Sequence, residues 1–255
     1  MNEDTIISYF QNPHLLRFSD EEFCKPLDSE LDRLIDLVNE SFDFPKEKND
    51  EKGKRLEHLA TYLLNRINCV EVIHDLRTES NQIDHKVTLG AFAPLHPFLN
   101  EIGLNFISEC KNQKSKVNVG QVQKVANLID DHTLKFGVFF SREGIAGKGW
   151  RDAEGKRKKI YCKNRWAIIS FTFNELVEIK DQKLNMITEM RKKYESLKFE
   201  VDTDQISVDE QEWYEDVERV KTVLNILHEK GILTKEELSS KLLILESHYR
   251  TASNE

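Results

Sequence analysis

Apolar positions recur along this chain with two different periods, and the switch between them marks its elements. Over residues 29–38, Leu31, Leu34, Ile35 and Val38 fall at helical spacing. A second helical stripe runs over residues 54–67 on Leu56, Leu59, Ala60, Leu63, Leu64 and Ile67, with Glu57 at its edge. From Cys69 to Leu76 the period drops to two, with Val70, Val72 and Ile73. After a turn at 77–81 the alternation resumes over Gln82–Leu89 on Ile83, Val87 and Leu89. Two such runs across a short turn predict an antiparallel hairpin. Residues 90–103 contain Pro94 and Pro97 and predict irregular chain. A strand at 104–110 and a helix at 118–131 follow, the helix on Val119, Val122, Val125, Leu128 and Ile129. Phe136–Phe140 and Trp166–Phe171 are short, wholly apolar runs, as buried parallel strands are. Between them lie a glycine-rich loop, 141–149, and a basic stretch.

The remainder is helical or connecting. Residues 173–197 predict helical chain, 200–212 an acidic and loosely structured segment, and 217–227 an amphipathic helix ended by Gly231. Thr234 with Glu237 three residues on is a capping box for a last helix. Ser19 before Asp20-Glu21-Glu22 predicts a further helix start, and residues 42–54, with Pro45 and Gly53, a connector. The order of elements predicts an α/β fold, a mixed sheet flanked by helices with a helical C-terminal appendage. It divides the chain into an acidic helical segment (1–52), a central domain (53–180) and a helical C-terminal region (181–255).

Composition narrows the class. A chain of 255 residues builds one core of ordinary size and an appendage. With 39% hydrophobic and 32% charged residues, and only 10 Gly and 5 Pro, low complexity is excluded. No apolar run is long enough for a membrane span, and Met1–Phe10 lacks the basic and apolar regions of a signal peptide. Cys24, Cys69, Cys110 and Cys162 are far apart, which argues against zinc and disulfides and for a reducing cytoplasm. A net charge of −8 does not suggest a nucleic-acid binder, but the charge is unevenly spread. Lys111, Lys114, Lys116 and Lys124 lie in a stretch without acids, and 148–165 is strongly basic, whereas acids concentrate in 19–51 and 200–218. A phosphate-binding face is therefore compatible with the sequence.

The chemistry converges on one strand end, Asn105-Phe106-Ile107-Ser108-Glu109-Cys110-Lys111-Asn112. Residues two apart on a strand share a face, so Glu109 and Lys111 project together. Asp84, on the hairpin strand, supplies a second carboxylate, and Glu57 an acid from the preceding helix. Other motifs fail. Gly144-Ile-Ala-Gly147-Lys148-Gly149 lacks the first glycine and the final Ser or Thr of a phosphate loop. His74, His85, His96 and His132 have no metal spacing, and alternation turns His85 away from Asp84.

Acid, acid, then Glu-x-Lys, on this order of elements, resembles the PD-(D/E)xK nucleases, and within them the Mrr-like restriction endonuclease catalytic domain, over residues 53–145. The resemblance implies a restriction-endonuclease-like fold and Mg²⁺-dependent hydrolysis of DNA, with Mn²⁺ as a substitute. It implies Asp84, Glu109 and the backbone carbonyl of Cys110 as metal ligands. Lys111 would orient or deprotonate the attacking water, and Glu57 is the helical acid near the metal. Two departures are visible: Ile83 stands where the motif's proline would be, and Glu109 where Mrr-like members commonly carry Gln. Gln121 and Gln123 are both candidates to contact the site or a phosphate. Residues 224–238 are similar to a SHOCT-like helical hairpin, which implies an assembly or partner-protein surface. A homo-oligomer and an anti-phage role are expected from the resemblance, with RNA and single strands left open as substrates. The competing expectation is a non-catalytic nucleic-acid-binding or scaffold protein on the same fold.

Overall fold

Leu31, Leu34, Ile35 and Val38 lie on the inner face of α1 (Ser29–Glu40), which Asp28 caps by accepting from the Glu30 N–H. That face packs against α2 (Asn49–Leu64) within one buried cluster. The computed structural model describes residues 19–77, 82–147, 152–199 and 214–252, with no side chains described for Arg77, 214–219 and 246–252. The remaining elements are β1 (Val70–Arg77), β2 (Gln82–Leu89), α3 (Pro97–Ile102), β3 (Asn105–Lys111), α4 (Val119–Asp131), β4 (Phe136–Ser141), α5 (Ala153–Asn164), β5 (Ala167–Thr172), α6 (Phe173–Asp181), α7 (Met186–Phe199), α8 (Tyr214–Glu229) and α9 (Lys235–Ala252).

The five strands form one sheet in sequence order. β1, β2 and β3 are an antiparallel meander, whereas β3, β4 and β5 run parallel and are connected through α4 and α5. This is the mixed sheet flanked by helices that the order of elements predicts. Alternation sorts the apolar side chains to the two faces. Val87, Phe106, Val138 and Phe140 join the core shared with α1 and α2, which also takes in Leu176, Met190 and, from α8, Val223 and Leu224. Ile107, Phe139 and Ile168 face α4 and α5. Gly137 lets α4 approach β4: a Cβ there would stand 3.1 Å from Val125 and 3.2 Å from Ile129.

Four sequence expectations need correction. α2 begins at Asn49, not 54, and runs through Gly53; Asp50 and Glu51 in its first turn suit the helix dipole. Residues 90–103 are not wholly irregular: His96 caps the six-residue α3, with Pro97 at its first position. The helical chain expected over 173–197 is not continuous: it is broken where Lys183 takes φ 53° and Asn185 Oδ1 accepts from Ile187 N. Ser19 opens a turn rather than a helix, its N–H bonded to Glu22 Oε2. The turn at 78–81, the acidic segment 200–212 and residues 148–151 of the basic stretch lie outside the described residues. No helix among the described residues is long and apolar enough to cross a membrane.

Candidate active site

The site forms where the β2–β3 ladder stops. The last paired residues are His85 and Ser108, and one further step would set Asp84 opposite Glu109. There the Asp84 side chain replaces a backbone partner: its Oδ2 accepts from the Cys110 N–H at 2.7 Å. Asp84 and Glu109 are both buried, at 9% and 2% exposure. Burying two carboxylates side by side costs solvation and sets like charges together. Glu109 Oε1 is compensated twice, by Lys111 Nζ at 2.7 Å and by Lys124 Nζ at 2.9 Å. Glu109 Oε2 is buried with no hydrogen-bond partner.

The titration of these groups follows from that crowding. Burial, then the neighbouring Glu109 charge, push the Asp84 carboxyl above the ordinary range, against the pull of the Cys110 N–H and the lysines. Burial also raises Glu57, and the charges of Asp84 and Asp75 add to it. For Lys111 burial works toward the neutral amine. The charge and hydrogen bond of Glu109, with the charge of Asp84, outweigh it and hold Lys111 as an ammonium. In this state Lys111 is a cation and a donor rather than a base.

The predicted residues are therefore gathered, but not equivalently. Asp84, Glu109 and Lys111 meet at the end of β2 and β3. Glu57 comes from α2, within the field of Asp84 and Lys111. Cys110 is buried and its thiol pKa is pushed well up, chiefly by burial. The Lys111 carbonyl accepts from Arg142 N on the β4 side, so by strand alternation the Cys110 carbonyl points the other way, toward β2 and Asp84. Among the described residues no three His, Cys, Asp or Glu side chains form a ready metal-holding group.

The glutamines resolve against a role at the carboxylates. Gln121 completes the capping box of α4 with Asn118, and Gln123 donates to Asn127 at 2.6 Å. The residue of α4 that reaches the site is Lys124, which also donates to the Gln82 carbonyl at 3.3 Å. Its signal in the sequence was its place between Val122 and Val125, at the edge of the apolar stripe. His85 turns to the opposite face, as alternation requires. Its ring bridges Ser108 Oγ at 2.8 Å and Thr61 Oγ1 at 2.9 Å, and burial lowers its pKa to about 4, so it is neutral. In the basic stretch, Arg157 is bound to Glu154 and to the Ile168 carbonyl. A cleft of about 670 Å³ opens at the other end of the sheet, by Leu134, Trp166 and Tyr194, and none of the four predicted catalytic residues lines it.

No family model matches the chain, and no curated protein does. Among solved structures it is similar to the DNA modification-dependent restriction endonuclease AspBHI, at 17% identity, over 73% of this chain and 44% of that one, with a TM-score of 0.37. The chain thus spans less than half of that protein's length.

Proposed function

We propose that this chain is a metal-dependent endonuclease of the PD-(D/E)xK type, Mrr-like in its catalytic domain, that hydrolyses DNA phosphodiester bonds. The observation that carries the reading is Glu109. Its Oε2 is buried and unpartnered beside a second buried carboxylate, Asp84, whose own charge the site disfavours. The two lysines meet only Glu109 Oε1 and leave Oε2 open, and a hard divalent ion takes carboxylate and carbonyl oxygens together with water. Asp84, Glu109 and the Cys110 carbonyl would hold Mg²⁺ or Mn²⁺. Two carboxylates and one carbonyl suffice when water fills the other positions, so the lack of a third acidic ligand fits this ion.

A bound divalent ion supplies a more acidic water and neutralises charge at phosphorus. The chain's residues do the rest. Lys111, held as an ammonium by Glu109, orients the attacking water and offsets charge developing on the phosphate. Glu57, from α2 and within the field of Asp84, would hold a metal-bound water or a second ion. Asp84 is fixed through the Cys110 N–H, and Ser108, His85 and Thr61 tie the strand to α2 behind it. Two-strand cutting calls for a homo-oligomer, and the SHOCT-like α8–α9 hairpin is the proposed assembly or partner-protein surface. A cytoplasmic restriction or anti-phage role fits this chemistry, and RNA or single strands would meet the same site.

A second reading is favoured by one observation. Two lysines on Glu109 Oε1 make an internally neutralised triad, as a retired site in a nucleic-acid-binding scaffold would have. Mn²⁺ titration followed by electron paramagnetic resonance separates them. The nuclease reading expects stoichiometric binding in the parent, lost in Asp84→Asn. A parent that binds no Mn²⁺ would leave the scaffold reading standing.

A further inference from the structure

Six buried polar side-chain atoms have no hydrogen-bond partner among the described residues. Three of them, Glu109 Oε2, Asn112 Oδ1 and Arg142 Nη1, sit at the ends of β3 and β4, and buried orphans of this kind mark places built for something else. Glu109 belongs to the carboxylate site. The other two adjoin a separate group of cations, and of them Arg142 Nη1 is the donor that an anion can satisfy.

Arg142 follows β4, and its N–H donates to the Lys111 carbonyl at 3.1 Å. The next residue of β3's exit, Asn112, donates from Nδ2 to the Lys52 carbonyl at 2.8 Å and to Ser41 Oγ at 3.0 Å. The Arg142 guanidinium lies over the Phe42 ring, 3.8 Å from its centroid. These ties bring the start of α2, residues 41–43 and the exits of β3 and β4 together, one residue beyond the lysine of the Glu-x-Lys triplet. Lys52 is only 7% exposed, and among the described residues no carboxylate is within ion-pair distance of it or of exposed Lys114. Burial, then repulsion from Arg142 and Lys114, lower the Lys52 pKa, and the field of Asp43 only partly opposes them. Arg142 pairs through Nε with Glu143 and leaves Nη1 unused. A covered lysine stem set among like charges is costly unless an anion completes the group.

We propose that Lys52, Lys114 and Arg142 form a phosphate grip that holds the nucleic-acid backbone next to the scissile bond. The inference rests on the nuclease reading and assigns the strand-positioning cations that it needs. It places them here and not on α5. Phosphate oxygens fit the available donors: two ammonium groups and a partnered guanidinium with a free Nη1. The grip acts on substrate through charge, so it positions the strand and takes no part in bond cleavage.

The test is binding of a fluorescently labelled duplex in EDTA, across a salt series, by the full chain. Lys52→Gln and exposed Lys114→Gln are each expected to weaken binding by roughly threefold to tenfold and to reduce the salt slope by about one. Lys158→Gln on α5 is expected to change neither. In cleavage, KM rises and kcat holds. A second readout is melting temperature with inorganic pyrophosphate, which should rise in the parent and not in the Lys52→Gln/Lys114→Gln variant. If the parent binds duplex and both variants bind with the same slope, the grip is overturned and the nuclease reading stands. If pyrophosphate stabilises the parent but no duplex, single strand or RNA binds, the occupant is not a nucleic acid, and both fall.

Discussion

Lys124 Nζ lies 2.9 Å from the same Glu109 oxygen that receives Lys111 Nζ. One carboxylate oxygen thus holds cations from two elements, its own strand and the helix that follows. Lys124 is the more exposed of the two, so its share of the field is partly screened.

This gives a signed expectation for Lys124→Ala. Removing a cation that competes at the carboxylate proposed as a metal ligand should tighten Mn²⁺ binding by about 1 kcal/mol, roughly fivefold, after allowance for exposure. Isothermal titration with Mn²⁺ measures it. Weaker binding in the variant would show instead that Lys124 is needed to shape the site.

Behind the site, Ser108→Ala removes the hydroxyl that meets the buried His85 ring. A buried ring nitrogen left unsatisfied costs about 1–3 kcal/mol. Urea unfolding should show that loss, with activity reduced only as far as the strand end loosens. An unchanged midpoint would mean the Thr61 and Glu57 contacts hold His85 by themselves.

Asp20 sets an acid limit on stability. Burial alone would raise its carboxyl, but hydrogen bonds from His96 and Thr188 and the Arg191 charge outweigh burial and hold it at about 2, below the usual 3.8. The folded value is depressed, so the stabilisation is present above the unfolded value and is lost as pH falls from 3.8 toward 2. Its size is about 2 kcal/mol at the scale of 1.36 kcal/mol for each pH step of displacement. Asp20→Asn should therefore be destabilising at pH 7, and the gap to the parent should start to narrow below about pH 4. A gap independent of pH would assign the loss to packing.

Gly147 shows why the glycine-rich loop is there. It has φ 85°, and a Cβ would stand 1.9 Å from Asp152 Oδ2 and 2.0 Å from its Cγ. Asp152 caps α5 by accepting from the Gly155 N–H. Gly147→Ala should cost more than the roughly 1 kcal/mol of a strained turn, because the cap must move as well. Thermal unfolding checks this, and a neutral effect would show that the loop relaxes freely.

The sheet was legible because its strands carry unmixed signals. Ile83, Val87 and Leu89 alternate, and Phe136–Phe140 is apolar throughout. The pairing of Glu109 with Lys111 followed from strand geometry alone. What escaped was long-range. Lys124 reaches Glu109 across 15 residues, and no local pattern specifies that contact. Lys52 was hidden in what looked like a connector, since Gly53 and the surrounding charge mask the first turns of α2. The break at Lys183 was missed because Gln182 and Leu184 beside it are good helix formers and a left-handed Lys carries no sequence mark; Asn185, which caps the following helix, was the signal passed over.

The central claim is that Asp84, Glu109 and Lys111 form a metal-dependent phosphodiesterase site. Its most direct test is supercoiled-plasmid cleavage by the full chain in Mg²⁺, in Mn²⁺ and in EDTA, with Lys111→Ala alongside. The expected result is nicking or linearisation in either metal, none in EDTA, and a loss of at least about 100-fold in Lys111→Ala, the scale of one removed electrostatic group at a reacting centre. Cleavage that proceeds equally in EDTA, or that survives Lys111→Ala undiminished, would contradict the account.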